Sequence, residues 1–138
     1  MTDSEISLAN GMYSLISVHD VATTIDRLEA IVKDKGMGVL ARVDHAASAG
    51  KVDMQIPDTQ VLLFGNPKLG TQLMQAAPSI AIDLPMKVLV SAGSDGTVRV
   101  SWTDPQVLKV RHQVEGCDAL FETMSNALKA MTSAAASE

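Results

Sequence analysis

"MYSLISVHDVATTIDRLEAIVKDKGMGVLARV", residues 12–43, holds the pattern on which the fold turns. Met12–Val18 is rich in apolar and β-branched residues and reads as a strand. Asp20 then stands where a helix N-cap belongs, and Val21, Ile25, Leu28 and Val32 recur at helical spacing up to about Lys35. Glu29 and Lys33 fall one turn apart on the wet side of that helix, which Gly36 ends. Met37–Val43 is apolar again and predicts a second strand, so the chain opens β-α-β.

Upstream, "MTDSEISLANG" (1–11) is polar and acidic, with no basic stretch leading into an apolar one, so it does not read as a secretory leader. It and "TSAAASE" (132–138) are expected to be flexible tails around a single domain at 12–131, without internal repeats or a linker. No apolar run approaches the roughly 18 residues that span a bilayer, and a cytoplasmic location is the expectation that follows. At 138 residues, 46% hydrophobic and 20% charged, the chain has the composition of a globular protein with a core. Its eleven Lys and Arg are scattered and its net charge is −5, which argues against nucleic acid. Cys117 is the single cysteine, so there is no internal disulfide and no Cys-rich zinc site; it reads as a small packed side chain.

Downstream, Val61–Phe64 is wholly apolar and predicts a strand covered on both faces. Asn66 and Pro67 then begin a helix over 67–77, and "SIAIDLP" (79–85) stays open between helical turn and strand. Met86–Val90 and Val98–Trp102 form a hairpin around "GSDG", with Val98, Val100 and Trp102 on one face. Asp104-Pro105 starts a short helix to about His112, and a last helix runs from Asp118 to Met131 with Leu120, Met124 and Leu128 along one side. About five strands and three or four helices in mixed order make an α+β fold, helices packed on a largely antiparallel sheet.

Two places carry candidate chemistry. In "VDHAASAG", Asp44 and His45 would face opposite ways if the strand continued. Asp44 therefore reads as the cap of a short turn over 44–50, accepting from the amide of Ala46 or Ala47. His45 then sits at the first helical position, where the positive end of the helix disfavours the imidazolium. A neutral ring there suits a general acid/base, a ligand or a simple tether. No second ligand-type residue stands at i,i+3 or i,i+4 from His45, so spacing supports no metal there. His19 and His112 could complete a catalytic set with His45 only if the fold brings them together.

The second place is "FGNPKLGTQLMQAAP". Its helix start presents free amides, to which Lys68 adds charge, and this favours an anion; the Gly-Lys-Ser/Thr ending of a phosphate loop is missing. Leu69, Leu73 and Ala76 form one apolar side and Gly70, Met74 and Ala77 another, leaving Lys68, Gln72, Gln75 and Ser79 as the polar stripe. Such a helix needs cover on two sides. The sheet supplies one; a second copy of the chain is the expected other, with a ligand cleft beside it.

"RVDHAA", "FGNPKLGTQLM" and "DLP", in this order and followed by "VSWTDPQVLKVRH", resemble the domain-of-unknown-function 302 family (DUF302) of bacteria and archaea. The resemblance implies a β-α-β-β-β-β-α fold similar to one copy of the TATA-binding-protein-like fold, and a homodimer. The family has no established enzymatic activity, so none is implied. Its motif falls on Asp44, His45, Gly65, Asn66, Pro67, Gly70, Thr71, Met74, Asp83 and Pro85. The expected function is a homodimeric binding module for a small molecule, an anion or a cofactor, in one cleft between Asp44, His45 and Asn66, Lys68, Gly70, Thr71, Met74 and Gln75. A haem or metal on His45 or Met74 has no support from spacing. The alternatives are an enzyme with His45 as general acid/base and Lys68 or Thr71 orienting substrate, and a scaffold dimer with His45 as tether.

Overall fold

A computed structural model describes residues 5–138. It contains strands β1 (Ser7–Ala9), β2 (Met12–Ser17), β3 (Gly38–Asp44), β4 (Thr59–Gly65), β5 (Met86–Ala92) and β6 (Val98–Thr103). The helices are α1 (Val21–Asp34), α2 (His45–Gly50), α3 (Pro67–Ala76), α4 (Pro105–Arg111) and α5 (Asp118–Ala136), with a 3₁₀ segment at Pro78–Asp83. From β2 onward the strands and the two long helices follow the expected β-α-β-β-β-β-α order. The six strands form one antiparallel sheet in the order β1-β2-β6-β5-β4-β3.

Local chemistry accounts for the element ends. The Asp20 carboxylate accepts from the Thr23 amide at 2.8 Å and starts α1. Gly36, at φ +79°, ends it, with the Met37 amide bonding back to the Val32 carbonyl at 3.2 Å. The stretch left open after Pro78 is helical and not a strand: Pro78–Asp83 is 3₁₀, and the chain then enters β5 through a cis Leu84-Pro85 bond.

The core lies on one face of the sheet. Leu15, Leu62, Phe64, Val88, Val100 and Trp102 point into it from the strands. Val21, Ile25, Leu28 and Val32 of α1 and Phe121, Met124, Leu128 and Met131 of α5 close over them. Burying two such helices supplies most of the fold's hydrophobic driving force, at about 25 cal/mol for each Å² of apolar surface. The expectation that Val61–Phe64 is covered on both faces is corrected. Leu62 and Phe64 are fully buried, whereas Val61 and Leu63 are half-buried on the far side, in line with Leu89 and Lys87 of β5.

The expected tails are shorter than composition suggested, although residues 1–4 lie outside the described part. Ser7–Ala9 pairs with Met12–Ser14 across a turn at Asn10-Gly11, both at positive φ. At the other end α5 continues to Ala136, with Thr132, Ala135 and Ala136 buried. Arg27 holds this end: its Nε donates to the Ala135 carbonyl at 3.0 Å and its Nη2 to the Ala134 and Ser137 carbonyls at 2.9 and 3.1 Å. These are carbonyls a helix terminus leaves open.

Candidate functional site

The two candidate places are both built as the sequence implies, but they do not form one cleft. Asp44 caps α2, accepting from the Ala47 amide at 2.9 Å. His45 opens α2 and is exposed, and no hydrogen bond to its ring is present among the described residues. In the β3–β4 ladder Gly38 pairs with Gly65, while Asp44 pairs with Gln60. Asn66 thus follows the Gly38 end and His45 the opposite end, about 20 Å away along the strand. His45 and Met74 cannot share a ligand at that separation. Among the described residues no three His, Cys, Asp or Glu are grouped to hold a metal ion.

At the Gly38 end a cavity of about 370 Å³ opens between three elements. Asn66, Pro67, Gly70, Thr71 and Met74 come from α3 and its cap. Ala81, Leu84 and Pro85 come from the 3₁₀ segment and the residues after it, with Gly38 and Leu40 of β3 at the rim and Met124 of α5 at the back. Lys68 and Gln75 are exposed and turn away from it. The small residues make the space: a Cβ on Gly70 would already touch Leu84 Cδ1 at 3.7 Å and Met74 Cε at 3.9 Å.

Two earlier expectations for α3 change here. The Asn66 side chain accepts from the amides of Lys68 and Leu69 at 3.0 and 3.3 Å, so the helix start satisfies its own donors and offers an anion less. The second apolar side of α3 is covered from within the chain. Ala77 is buried, Gly70 and Met74 are half-buried, and the 3₁₀ segment lies against the helix. No second copy of the chain is needed to cover it.

A third cluster was not visible in the sequence. His112, at the end of α4, has its Nε2 2.5 Å from Asp83 Oδ2 and its Nδ1 2.7 Å from Ser79 Oγ. Arg111 Nη1 donates to both Asp83 oxygens at 3.1 and 3.2 Å. Asp83 thus serves His112 and Arg111, whereas Asp104 caps α4, accepting from the Gln106 amide at 3.0 Å. The His112 side chain is only 5% exposed, so both ring nitrogens act inside the fold. His112 and His45 lie on separate elements, and the three histidines do not come together; His19 meets the Ser137 carbonyl at 2.7 Å. Cys117 precedes α5, half-buried against the core and without a capping side-chain bond.

Residues 13–131 match the profile of the family described as "Domain of unknown function DUF302", and the chain belongs to that family. A crystal structure of an uncharacterized conserved DUF302 protein from Bacillus stearothermophilus superposes with a TM-score of 0.83, covering 92% of this chain and 99% of that one. Their identity is 20%, so that likeness speaks for the fold. Curated relatives from Brucella suis and Brucella abortus, both named fluoride-specific ion channel FluC 1, are 40% identical over 105 residues. The match takes in 76% of this chain but 41% and 39% of those proteins, so the chain spans about two fifths of their length.

Proposed function

We propose that this DUF302 chain is a binding module for a small, largely apolar molecule, held between α3, the 3₁₀ segment and the start of β3. The observation that carries the reading is that seven of the ten family-motif residues, all but Asp44, His45 and Asp83, line one space. Gly65, Asn66, Pro67, Gly70, Thr71 and Met74 reach it from one side and Pro85 from the other. A few hundred Å³ lined mostly by apolar groups, with a few polar atoms at the edge, is the usual form of a small-ligand site. Asn66 and Thr71 are the polar groups able to orient the occupant. Catalysis by His45 has no comparable support, because the ring is exposed and far from this space.

The ion conduction named for the Brucella relatives is not part of the proposal. Those chains are more than twice as long as the matched region, and no described helix here is long and apolar enough to cross a membrane. What the relatives suggest is that a domain of this kind can share a polypeptide with a transport protein, where binding a small molecule could regulate it.

A homodimer is proposed with a changed interface. With α3 covered from within, the row Val43–Val61–Leu89 across β3, β4 and β5, on the face opposite α1 and α5, is the better candidate.

The test of the binding reading uses 1-octanol as probe and the methionine methyl resonances as readout. The methyls of Met74 and Met124 shift with saturation in the wild type, and Gly70→Leu, which fills the space, abolishes the shift. Equal responses across all eight methionines, or no response, would reject the reading.

A further inference from the structure

We infer that this cavity is the tail half of a longer site, made for a single-chain amphiphile with an anionic head. The inference rests on the binding reading above, because the tail half is that same space. A second cavity of about 330 Å³ lies beyond the end of the 3₁₀ segment, against β5, β6 and α4. Met86 and Met124 line both spaces. The two spaces thus share two thioether side chains, unbranched and with several rotatable bonds, which can change rotamer to join the halves.

The halves differ in polarity as an amphiphile requires. Around the first stand Leu69, Leu84, Pro85 and Met74; the second carries Lys87, Arg111 and Asp83. Arg111 is paired with Asp83. Lys87 Nζ donates to the carbonyls of Asp83 and Pro85 at 3.3 and 3.1 Å but forms no ion pair among the described residues. Lys87 and Arg111 against Asp83 leave one net positive charge beside the cavity, in a chain whose net charge is −5. An anionic head set near Lys87 gains a charge-assisted hydrogen bond, while its chain passes the methionines into the apolar half.

Calorimetric titration of the full chain with decanoate, 1-decanol and butyrate, below any micellar concentration, tests the inference. Decanoate binds about fivefold tighter than 1-decanol, the worth of one partly exposed charged contact, and butyrate binds much more weakly than either. Lys87→Gln removes the margin of decanoate over 1-decanol and leaves 1-decanol unchanged. Lys87→Glu makes decanoate the weaker of the two. Because Lys87 is exposed, neither variant disturbs the core. If 1-decanol binds while decanoate is no tighter and Lys87 variants have no effect, the two-part site is overturned and the apolar reading stands. If neither ten-carbon probe binds, both fall together.

Discussion

Asp83 and His112, 29 positions apart in the chain, meet at 2.5 Å between carboxylate Oδ2 and ring Nε2. The contact fastens the 3₁₀ segment to the end of α4, and Ser79 Oγ at 2.7 Å from Nδ1 makes it two-point. The segment so held borders both cavities, with Ala81 lining one and Asp83 the other. Replacing His112 with Ala removes both bonds from a ring that is almost fully buried and leaves Asp83 to the exposed Arg111. The expected loss is about 1–3 kcal/mol in urea unfolding. Amide exchange should speed up over residues 78–83 more than in α1; unchanged exchange there would remove the fastening role.

The glycines separate space from strain. Gly70 lies inside α3 with room for a methyl group at ordinary contact distance, and its φ is not positive. Gly70→Ala should therefore raise stability by about 0.5–1 kcal/mol, the usual helical gain, while it narrows the cavity and weakens octanol binding. Gly11 is the opposite case: φ is +73° and an added Cβ would stand 2.8 Å from Val107 Cγ2. Gly11→Ala should destabilise by about 1–3 kcal/mol through strain at both backbone and contact. Thermal melts of the two variants, moving in opposite directions, make the check.

Two exposed carboxylates tie stability to acid pH. The hydrogen bonds from Thr23 hold Asp20 below its ordinary value of 3.8, and those from Thr97, its backbone amide first, do the same for Asp95. A depressed folded-state value means that the unfolded chain binds the proton more readily. The stabilisation is therefore complete above the ordinary carboxylate range and is lost as pH falls below about 4. Asp20→Ala and Asp95→Ala should each lower the urea midpoint at pH 7, and the gap to wild type should close as pH falls toward 2. A gap that stays constant with pH would show that the ionised form has no special role.

Much of this was legible locally. Each cap at Asp20, Asn66 and Asp104 depends on residues two or three positions away, and all three form as their neighbours imply. Alternation in Val98–Trp102 likewise placed the right side chains inward, because strand period is local. The first hairpin was also readable, since Asn-Gly is the strongest short turn signal, but the polar composition around Asn10-Gly11 masked it. The last turns of α5 were not readable. "SAAA" has no stripe of large side chains, and what holds it is Arg27, more than a hundred residues away. Contacts 29 and 33 positions apart likewise hid the Ser79–His112–Asp83 cluster, and strand register hid the separation of His45 from Asn66. Register, not composition, decides which end of a strand a residue occupies.

Register also makes the open sheet face testable. Val43, Val61 and Leu89 are directly opposed neighbours on three adjacent strands, and all project away from α1 and α5. A lone monomer would leave that row in partial contact with water, at a cost of about 25 cal/mol for each exposed apolar Å². If a second copy covers it, Val61→Lys at the centre of the row places a charge in the interface. Light scattering should then report a monomer where the wild type is a dimer, and thermal stability should become independent of protein concentration. Leu89→Lys should act alike, whereas Val110→Lys, on the exposed outer side of α4, should leave the dimer intact. A wild type that is monomeric at every concentration tested removes the second copy from the proposal and leaves the cavity argument untouched.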